Sequence, residues 1–291
     1  MTITPEIYKR VLDIYGNYYE PITGILPQKL TDDVLSFKKP IEQIAVIERY
    51  SGSIKGKKLL EVGSGFGIFV VTARQNGIEA YGVEPDSEGF NGSYELSQEI
   101  LSLNEIDPGV ITSGIGEALP LPDHSFDVVY STNVLEHVSN PRAFLGEAIR
   151  VCKPGGFIQI VVPNYGSFYD GHYSCFYVPY QPKWLWKIFI KLFHKKDISY
   201  IDTLRTEINY FAMLKWLKPY VRSGAVSILG MGEDIFRERM DSVDFSAWAG
   251  LEKVKNWLAL VHKFRITELV IWLLLATKSY SPLIVTIRKN K

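Results

Sequence analysis

Residues 57–86 read KKLLEVGSGFGIFVVTARQNGIEAYGVEPD, and this stretch decides the fold. Its apolar run Leu59–Val62 predicts a buried strand, and the glycine-rich turn Gly63–Gly67 follows directly. Phe66–Asn76 then predicts a helix, and Ile78–Val83 predicts a second strand. A strand, a glycine turn, a helix and a strand form a βαβ unit, which is typical of a parallel sheet covered by helices.

Two carboxylates in this stretch point to the kind of ligand. Glu84 follows the second strand, where a βαβ unit places the acid that binds the ribose hydroxyls of an adenosine-containing cofactor. A nicotinamide dinucleotide stays open here, although its fingerprint has a third glycine where Ile68 stands, and Gly67 breaks the spacing. Glu61 lies inside a strand that should be buried on both faces, so its charge needs a cation, and a ligand ammonium would serve.

These features resemble motif I of the class I S-adenosylmethionine-dependent methyltransferases. In that motif the acid equivalent to Glu61 faces the amino group of the cofactor's methionine moiety, and the glycines pass beneath the cofactor. The resemblance implies S-adenosylmethionine as the cofactor, with Glu61 and Glu84 at its opposite ends. It implies these cofactor-binding residues in the stretch: Glu61, Gly63, Ser64, Gly65, Gly67 and Glu84.

Residues 116–141, GEALPLPDHSFDVVYSTNVLEHVSNP, are similar to small-molecule methyltransferases related to the ubiquinone and menaquinone biosynthesis enzymes. The resemblance implies that Gly116 and Glu117 flank the adenine ring and that Asn133 and Val134 line the methionine half of the cofactor. In it, Leu135–Val138 opens the helix after strand four, and KPGG at 153–156 turns into strand five. The matching blocks cover residues 57–164 in the family's order, which is more specific than any single motif.

The remaining elements complete an α/β fold. The predicted strands three to seven are Val110–Thr112, Asp127–Tyr130, Phe157–Pro163, Ala225–Leu229 and Ser281–Arg288, and a helix at Asn209–Leu217 follows a Thr206 cap. The resemblance implies a Rossmann-like, seven-stranded mixed sheet in the order 3-2-1-4-5-7-6, with its last strand antiparallel and helices on both faces. We expect one methyltransferase domain over 1–291: an N-terminal helical cap (1–54), a cofactor-binding core (55–164), an inserted lid (165–205) and a C-terminal part with a helical insertion (206–291).

Composition excludes several classes of function. The 32 basic and 32 acidic residues cancel, and no Asn/Asp-Pro-Pro-Tyr motif follows strand four, so nucleic acid is not an expected partner. The two cysteines, Cys152 and Cys175, match no metal-ligand spacing, and no metal is expected. Free thiols and an N-terminus without a signal-peptide pattern favour a cytoplasmic location. Leu269–Ala276, LVIWLLLA, is too short to span a bilayer and predicts a buried helix, and the oligomeric state stays open.

Two of the five histidines are candidate catalytic bases. His137 follows strand four, and His172 lies in the loop NYGSFYDGHY after strand five. Both loops lie beyond the carboxyl ends of strands, where such sheets bind ligands. A hydroxyl acceptor would benefit from a base, although methyl transfer mainly requires alignment, and local packing of either histidine is the alternative. Among many aromatic residues, Tyr169, Tyr173 and Tyr19 are the predicted acceptor contacts.

The segment 182–196, PKWLWKIFIKLFHKK, predicts an amphipathic helix with a lysine at every fourth position. We expect a lid helix whose lysines face solvent, with peripheral membrane contact and a lipid-linked acceptor as the alternative. The sequence thus predicts an S-adenosylmethionine-dependent methyltransferase acting on a small molecule or saccharide, at oxygen. The rivals are a catalytically silent cofactor-binding protein and a nicotinamide-dependent reductase, which Ile68 disfavours.

Overall fold

A computed structural model of the chain describes residues 2–86, 92–194, 198–241 and 252–291. Its strands alternate with helices over the first half of the chain, as the apolar runs predict. The strands are β1 Lys58–Val62, β2 Glu79–Glu84, β3 Ile111–Ser113, β4 Phe126–Thr132, β5 Cys152–Val162, β6 Tyr169–Asp170, β7 Cys175–Phe176, β8 Val226–Gly230 and β9 Leu283–Lys289.

Helices form an N-terminal group, cover both faces of the sheet and build the lid. Two short segments with π-helical hydrogen bonding, Tyr15–Tyr19 and Ile190–His194, continue α1 and α8. The helices are α1 Pro5–Ile14, α2 Glu20–Thr23, α3 Pro27–Val34, α4 Lys38–Ser51, α5 Ile68–Gln75, α6 Ser93–Leu103, α7 Pro141–Val151, α8 Lys183–Phe189, α9 Ser199–Thr203, α10 Tyr210–Arg222, α11 Glu233–Asp241, α12 Glu252–Lys263 and α13 Thr267–Ala276.

The main sheet has the order β3-β2-β1-β4-β5-β9-β8. When its strands are numbered without the small β6–β7 hairpin, this is the predicted order 3-2-1-4-5-7-6, which is confirmed. The pairs from β3 through β5 are parallel, and β9 is antiparallel to both of its neighbours. The chain winds in opposite directions from β1 and from β4, so a crevice forms between the carboxyl ends of these two strands.

Two apolar cores lie on opposite faces of this sheet. One packs α5 and α6 together with Ile7, Val11 and Ile47 of the N-terminal helices. The other packs α7 and α10 together with lid residues such as Trp186. The N-terminal segment and the lid are therefore continuous with the two cores, and the division of the chain into a cap, a core and a lid stays a prediction.

One predicted helix start and one predicted helix cap are wrong, and hydrogen bonding explains both. Residues 134–137 form a turn, with the His137 amide donating to the Val134 carbonyl over 2.8 Å, and α7 begins only at Pro141. The Asn140 side chain caps α7, accepting from the amides of Arg142 and Ala143. Likewise α10 is capped by Asn209, rather than by Thr206. An asparagine with extended backbone satisfies the first free amides of a helix well.

The expectation of a buried helix at Leu269–Ala276 is also wrong. Only Ile271 and Leu274 of α13 are buried, whereas Leu269 and Trp272 are more than 60% exposed. The apolar composition predicted the helix but not the small share of its surface that the core covers. Among the described residues, every helix is too short or too polar to cross a bilayer.

The lid helix differs from the expected orientation. Its buried side is formed by Trp186 and Ile190, and Phe189 of the predicted apolar side is half-buried against the core. The other side chains of the predicted apolar side are exposed: Trp184 63%, Leu185 37%, Ile188 48%, Leu192 65% and Phe193 72%. Lys183 donates to the carbonyls of Asp202 and Leu204, and Lys187 pairs with Asp202. Lys183 and Lys187 thus connect α8 to the end of the lid, and the exposed apolar side chains face solvent. Lys195 and Lys196 lie outside the described residues.

Candidate active site

The glycine turn forms the floor of the crevice and is fastened to strand β2. The amides of Gly63 and Ser64 donate to the Val83 carbonyl over 2.8 and 3.1 Å. Gly65 donates its amide to Oε2 of Glu84 over 2.8 Å, and the Ser93 hydroxyl donates to the other oxygen over 2.6 Å. Burial raises the pKa of Glu84, although these two hydrogen bonds oppose the shift. The buried acid is therefore held in a fixed position below the turn.

Glu61 lies on β1, beside Glu84 of the neighbouring strand β2. Only 4% of Glu61 is exposed, and its Oε2 has no hydrogen-bond partner among the described residues. Burial raises the pKa of this carboxyl well above its usual range, and the nearby charge of Glu84 adds to the effect. An unpartnered buried carboxylate is costly, so this position favours a bound cation.

Steric contacts explain two of the predicted glycines, Gly63 and Gly116. A Cβ on Gly63 would lie 2.2 Å from a methyl carbon of Val134, and one on Gly116 would lie 2.4 Å from the Phe144 ring. Gly65 differs, because its Cβ would meet no atom within 4 Å, and its φ is +51°. The turn therefore packs tightly against Val134 on one side and faces open space at Gly65. Gly67 has a φ of +76° and directly precedes α5.

Three other predicted cofactor residues, Ser64, Glu117 and Asn133, lie in the loops that line the crevice. The Ser64 hydroxyl is buried against the Gly82 backbone. Glu117 accepts from the Ser139 amide over 2.7 Å and so fixes the turn before α7. Asn133, with a φ of +53°, ends β4 in the left-handed region, which non-glycine residues rarely adopt. Side-chain contacts of these residues with the adenine or methionine moieties stay predictions.

The two predicted histidines lie next to each other. The rings of His137 and His172 are edge to face with their centroids 5.7 Å apart, and the Tyr200 ring lies within 6.1 Å of both. Nδ1 of His172 is 3.4 Å from Oδ2 of Asp170. The other oxygen of Asp170, Oδ1, accepts a hydrogen bond from the Tyr173 amide over 2.7 Å. Nε2 of His137 is 4.0 Å from Oε1 of the fully buried Glu136.

This environment separates the histidine pKa values. Burial opposes protonation of His172, but the hydrogen bond and charge of Asp170 outweigh it and raise the pKa of that imidazole. Burial and the neighbouring His172 lower the pKa of His137 to about 4. Complete burial raises the pKa of the Glu136 carboxyl to about 7. The pair thus consists of two unlike imidazoles beside a buried acid.

Aromatic rings connect the histidine pair to the N-terminal segment. Tyr15 contacts Phe66 of the glycine turn, Tyr19 and Tyr18 follow, and Tyr18 contacts Tyr200. Arg205, where the lid returns to the core, donates to the carbonyls of Glu136, Val138 and Ser139, each over 2.8 Å. The lid is therefore clamped onto the turn that carries His137.

The three predicted acceptor tyrosines occupy different environments. Tyr19 is half-buried, and burial raises its pKa. The charge of Glu84 adds to this shift, which places Tyr19 near the glycine turn and its two acids. Tyr173 is fully buried, with its ring 5.6 Å from that of Trp186, and Tyr169 pairs with Phe176 in the β6–β7 hairpin. Tyr169 and Tyr173 thus shape the hairpin that carries His172, and direct contact with an acceptor stays a prediction for all three.

Four residues of the site were not singled out from the sequence. Glu136 offered the same signal as Glu61, an acid within an apolar run, and Asp170 stands two residues before His172. Tyr200 and Arg205 carry no local signal, because only the return of the lid brings them to the site.

Comparison with known proteins agrees with this geometry. Residues 60–160 match the model of a family described as a methyltransferase domain. An uncharacterized methyltransferase of Mycobacterium bovis is 34% identical over 117 residues, which are 40% of this chain and 43% of that protein. One of Mycolicibacterium vanbaalenii is 32% identical over 143 residues, 49% of this chain and 52% of that protein. The chain thus spans about half the length of the curated relatives it matches.

A crystal structure of an S-adenosylmethionine dependent methyltransferase from Mesorhizobium loti shares 17% identity, with a TM-score of 0.49 over 84% of this chain and 96% of that one. The family match, the sheet order and the two carboxylates at the glycine turn together define the matched segment. Residues 60–160 form a methyltransferase domain with the class I sheet order, and S-adenosylmethionine is the cofactor of this domain.

The contacts of the glycine turn yield a stability prediction. Gly63→Ala should destabilise the protein by about 3 kcal/mol or more, because the new methyl overlaps Val134 and the backbone is left-handed. Gly65→Ala, which meets open space, should cost only about 1 kcal/mol from its backbone conformation. Urea unfolding of both variants measures this difference. Val134→Ala should recover part of the Gly63→Ala loss, and equal losses in the two glycine variants would contradict the packing.

Proposed function

We propose that the whole chain is an S-adenosylmethionine-dependent methyltransferase that acts on an oxygen atom of a small-molecule or saccharide acceptor. The observation that carries the proposal is the unpartnered Glu61 carboxylate beside Glu84 beneath a glycine turn. The pair of histidines at the lid supports an acceptor that must lose a proton.

The residues of the crevice fit this cofactor. Glu61 offers a buried negative charge for an ammonium group. Glu84 has one protein donor on each carboxylate oxygen, and each oxygen can accept a second hydrogen bond from a ribose hydroxyl. Gly65 leaves open space above the turn where a side chain would intrude. Glu61 and Glu84 would therefore hold the two ends of the cofactor.

The bound cofactor supplies a methyl group on a positively charged sulfur, which is already activated for displacement. The protein's contribution is then to align the acceptor with that methyl and to exclude water. The contacting rings of Tyr18, Tyr19 and Tyr200 lie between the glycine turn and the histidine pair. Aromatic faces suit a sugar or another ring, and they also attract a sulfonium charge.

An oxygen acceptor explains the polar groups at the lid better than an amine does. A neutral amine can attack without assistance, whereas a hydroxyl becomes a good nucleophile only as its proton leaves. His137 and His172 are the residues that would promote this loss. A catalytically silent cofactor-binding protein would have no need of a clamped lid that brings Asp170, His172 and Glu136 together.

The exposed side of α8 supports a second candidate, a methyltransferase for a lipid-linked acceptor at a membrane surface. Trp184, Ile188, Leu192 and Phe193 are each close to half exposed or more. Apolar side chains on one face of a helix can insert into the headgroup region of a bilayer. The lid would then lie between the membrane and the histidine pair.

The charge partnership at Glu61 predicts a ligand-specific effect. Glu61→Gln should weaken S-adenosylhomocysteine binding by about tenfold to a hundredfold, because a charged hydrogen bond is lost. Methylthioadenosine, which lacks the amino-acid moiety, should bind within about twofold of its wild-type affinity. Calorimetric titration of both ligands measures the difference.

Glu84→Gln is the matched control, because both ligands carry the ribose and both should lose affinity. The assignment of Glu61 fails if Glu61→Gln weakens both ligands equally or leaves S-adenosylhomocysteine binding unchanged. If neither ligand stabilises the wild-type protein, the proposed function itself is wrong.

The membrane candidate predicts that the wild-type protein sediments with vesicles of phosphatidylcholine and phosphatidylglycerol. Trp184→Ser should reduce the bound fraction several-fold, because an exposed indole contributes strongly to interfacial binding. Trp272→Ser on α13 is the control, since both tryptophans are 63% exposed. Absence of wild-type sedimentation, or release by Trp272→Ser alone, rules out docking through α8.

A further inference from the structure

A cluster of three ligating groups lies at the lid: the Glu136 carboxylate and the imidazoles of His137 and His172. One donor atom of each residue lies within 4.8 Å of those of the other two. We propose that the Glu136–His137–His172 cluster binds a divalent transition-metal cation, which positions and acidifies the acceptor hydroxyl. The inference rests on the proposed function and extends it, because it replaces an imidazole base by a metal ion.

The Glu136 carboxylate is the first reason. Glu136 is 0% exposed, and among the described residues no other residue donates a hydrogen bond to either of its oxygens. Its Oε1 is directed towards the cluster, 4.0 Å from Nε2 of His137. A buried, ionised carboxylate that no other residue bonds is destabilising unless a cation reaches it. Arg205, the nearest clamp of this turn, uses its amide and guanidinium on backbone carbonyls instead.

The contact between Asp170 and His172 is the second reason. Nδ1 of His172 is 3.4 Å from the buried Asp170 carboxylate, which the Tyr173 amide fixes in place. This leaves Nε2 of His172 as the nitrogen for the cluster. A carboxylate on the far nitrogen of an imidazole is the usual support of a metal-binding histidine, because it sets the tautomer and the orientation of the ring.

The donor set indicates the type of cation. Imidazole nitrogen with carboxylate oxygen suits zinc, iron, cobalt or manganese, whereas magnesium and calcium prefer oxygen ligands alone. A divalent cation would balance the two carboxylates of Glu136 and Asp170 in their ionised forms. A metal about 2.0–2.2 Å from each donor requires the side chains to close by about an ångström from their present separations.

Three protein donors leave at least one coordination position for the acceptor. A hydroxyl in that position has a lower pKa and loses its proton to bulk water. The oxygen's electron pair then forms the new C–O bond, while the methyl C–S bond breaks and its electrons stay on sulfur. The turn at residues 134–137 also contacts the glycine turn, because the Val134 side chain packs against Gly63 and the Val134 carbonyl accepts the His137 amide. The acceptor oxygen and the methyl group can thus lie next to each other.

Titration of the full chain with Co²⁺ alone tests the proposal, after chelation and removal of any histidine tag. We expect one Co²⁺ per chain with visible absorption bands from a nitrogen- and oxygen-ligated site. Glu136→Gln, His137→Gln and His172→Gln should each weaken binding by at least about tenfold, and Asp170→Asn by about tenfold. His262→Gln is the matched control, because His262 bonds the Met240 carbonyl away from the cluster and should leave Co²⁺ binding unchanged.

A titration with S-adenosylhomocysteine accompanies each variant, and unchanged affinity shows that the variant is folded. His137→Gln is the most conservative of them, because 30% of the His137 side chain is exposed. The proposal is overturned if the wild-type protein forms no coloured Co²⁺ complex, or if the three cluster variants bind Co²⁺ like the wild type. Co²⁺ binding without S-adenosylhomocysteine binding would keep the metal site and refute the proposed function.

Discussion

An unpaired buried carboxylate near the carboxyl end of strand β1 is the constraint on which this site depends. Glu61 lies at the point where the sheet order reverses, with Glu84 on the neighbouring strand adding a second negative charge. The fold tolerates this charge because the crevice opens at the same place. The glycine turn then brings the Gly65 amide, rather than a side chain, onto Glu84.

The same arrangement occurs a second time, at Glu136. This acid too is buried without a donor among the described residues, and it lies close to imidazoles rather than beneath glycines. Val134 links the two places, because it packs on Gly63 and precedes the turn of His137. One acid thus suits an organic ammonium and the other a metal ion, and the reacting atoms would meet between them.

Local sequence signals predicted the parts of the structure that short segments determine. The βαβ unit at residues 57–86 follows from an apolar run and a glycine turn, and both buried acids of the cradle follow from their places in it. Glu136 was not predicted to be a buried site acid, because its segment was predicted to start a helix. The chain instead forms a turn there, and α7 begins at Pro141.

Features that depend on distant packing could not be derived in this way. Tyr200 reaches the histidines only because the lid folds back and Arg205 clamps it. The apolar helix α13 has the composition of a buried element, but the chain supplies little to cover it, so Trp272 stays exposed. Composition predicts that such a segment is a helix, and only tertiary packing decides which face is buried.

The most direct test of the charge constraint at Glu61 is to count protons during cofactor binding. Burial raises the pKa of Glu61 in the protein without cofactor, and an ammonium partner would lower that pKa. At a pH between the two values, cofactor binding should therefore release a proton from Glu61. Isothermal titration of the wild-type protein with S-adenosylhomocysteine, in buffers of different ionisation enthalpy at slightly acidic pH, measures this number. We predict net proton release, and binding without proton release, or with uptake, would contradict the role of Glu61.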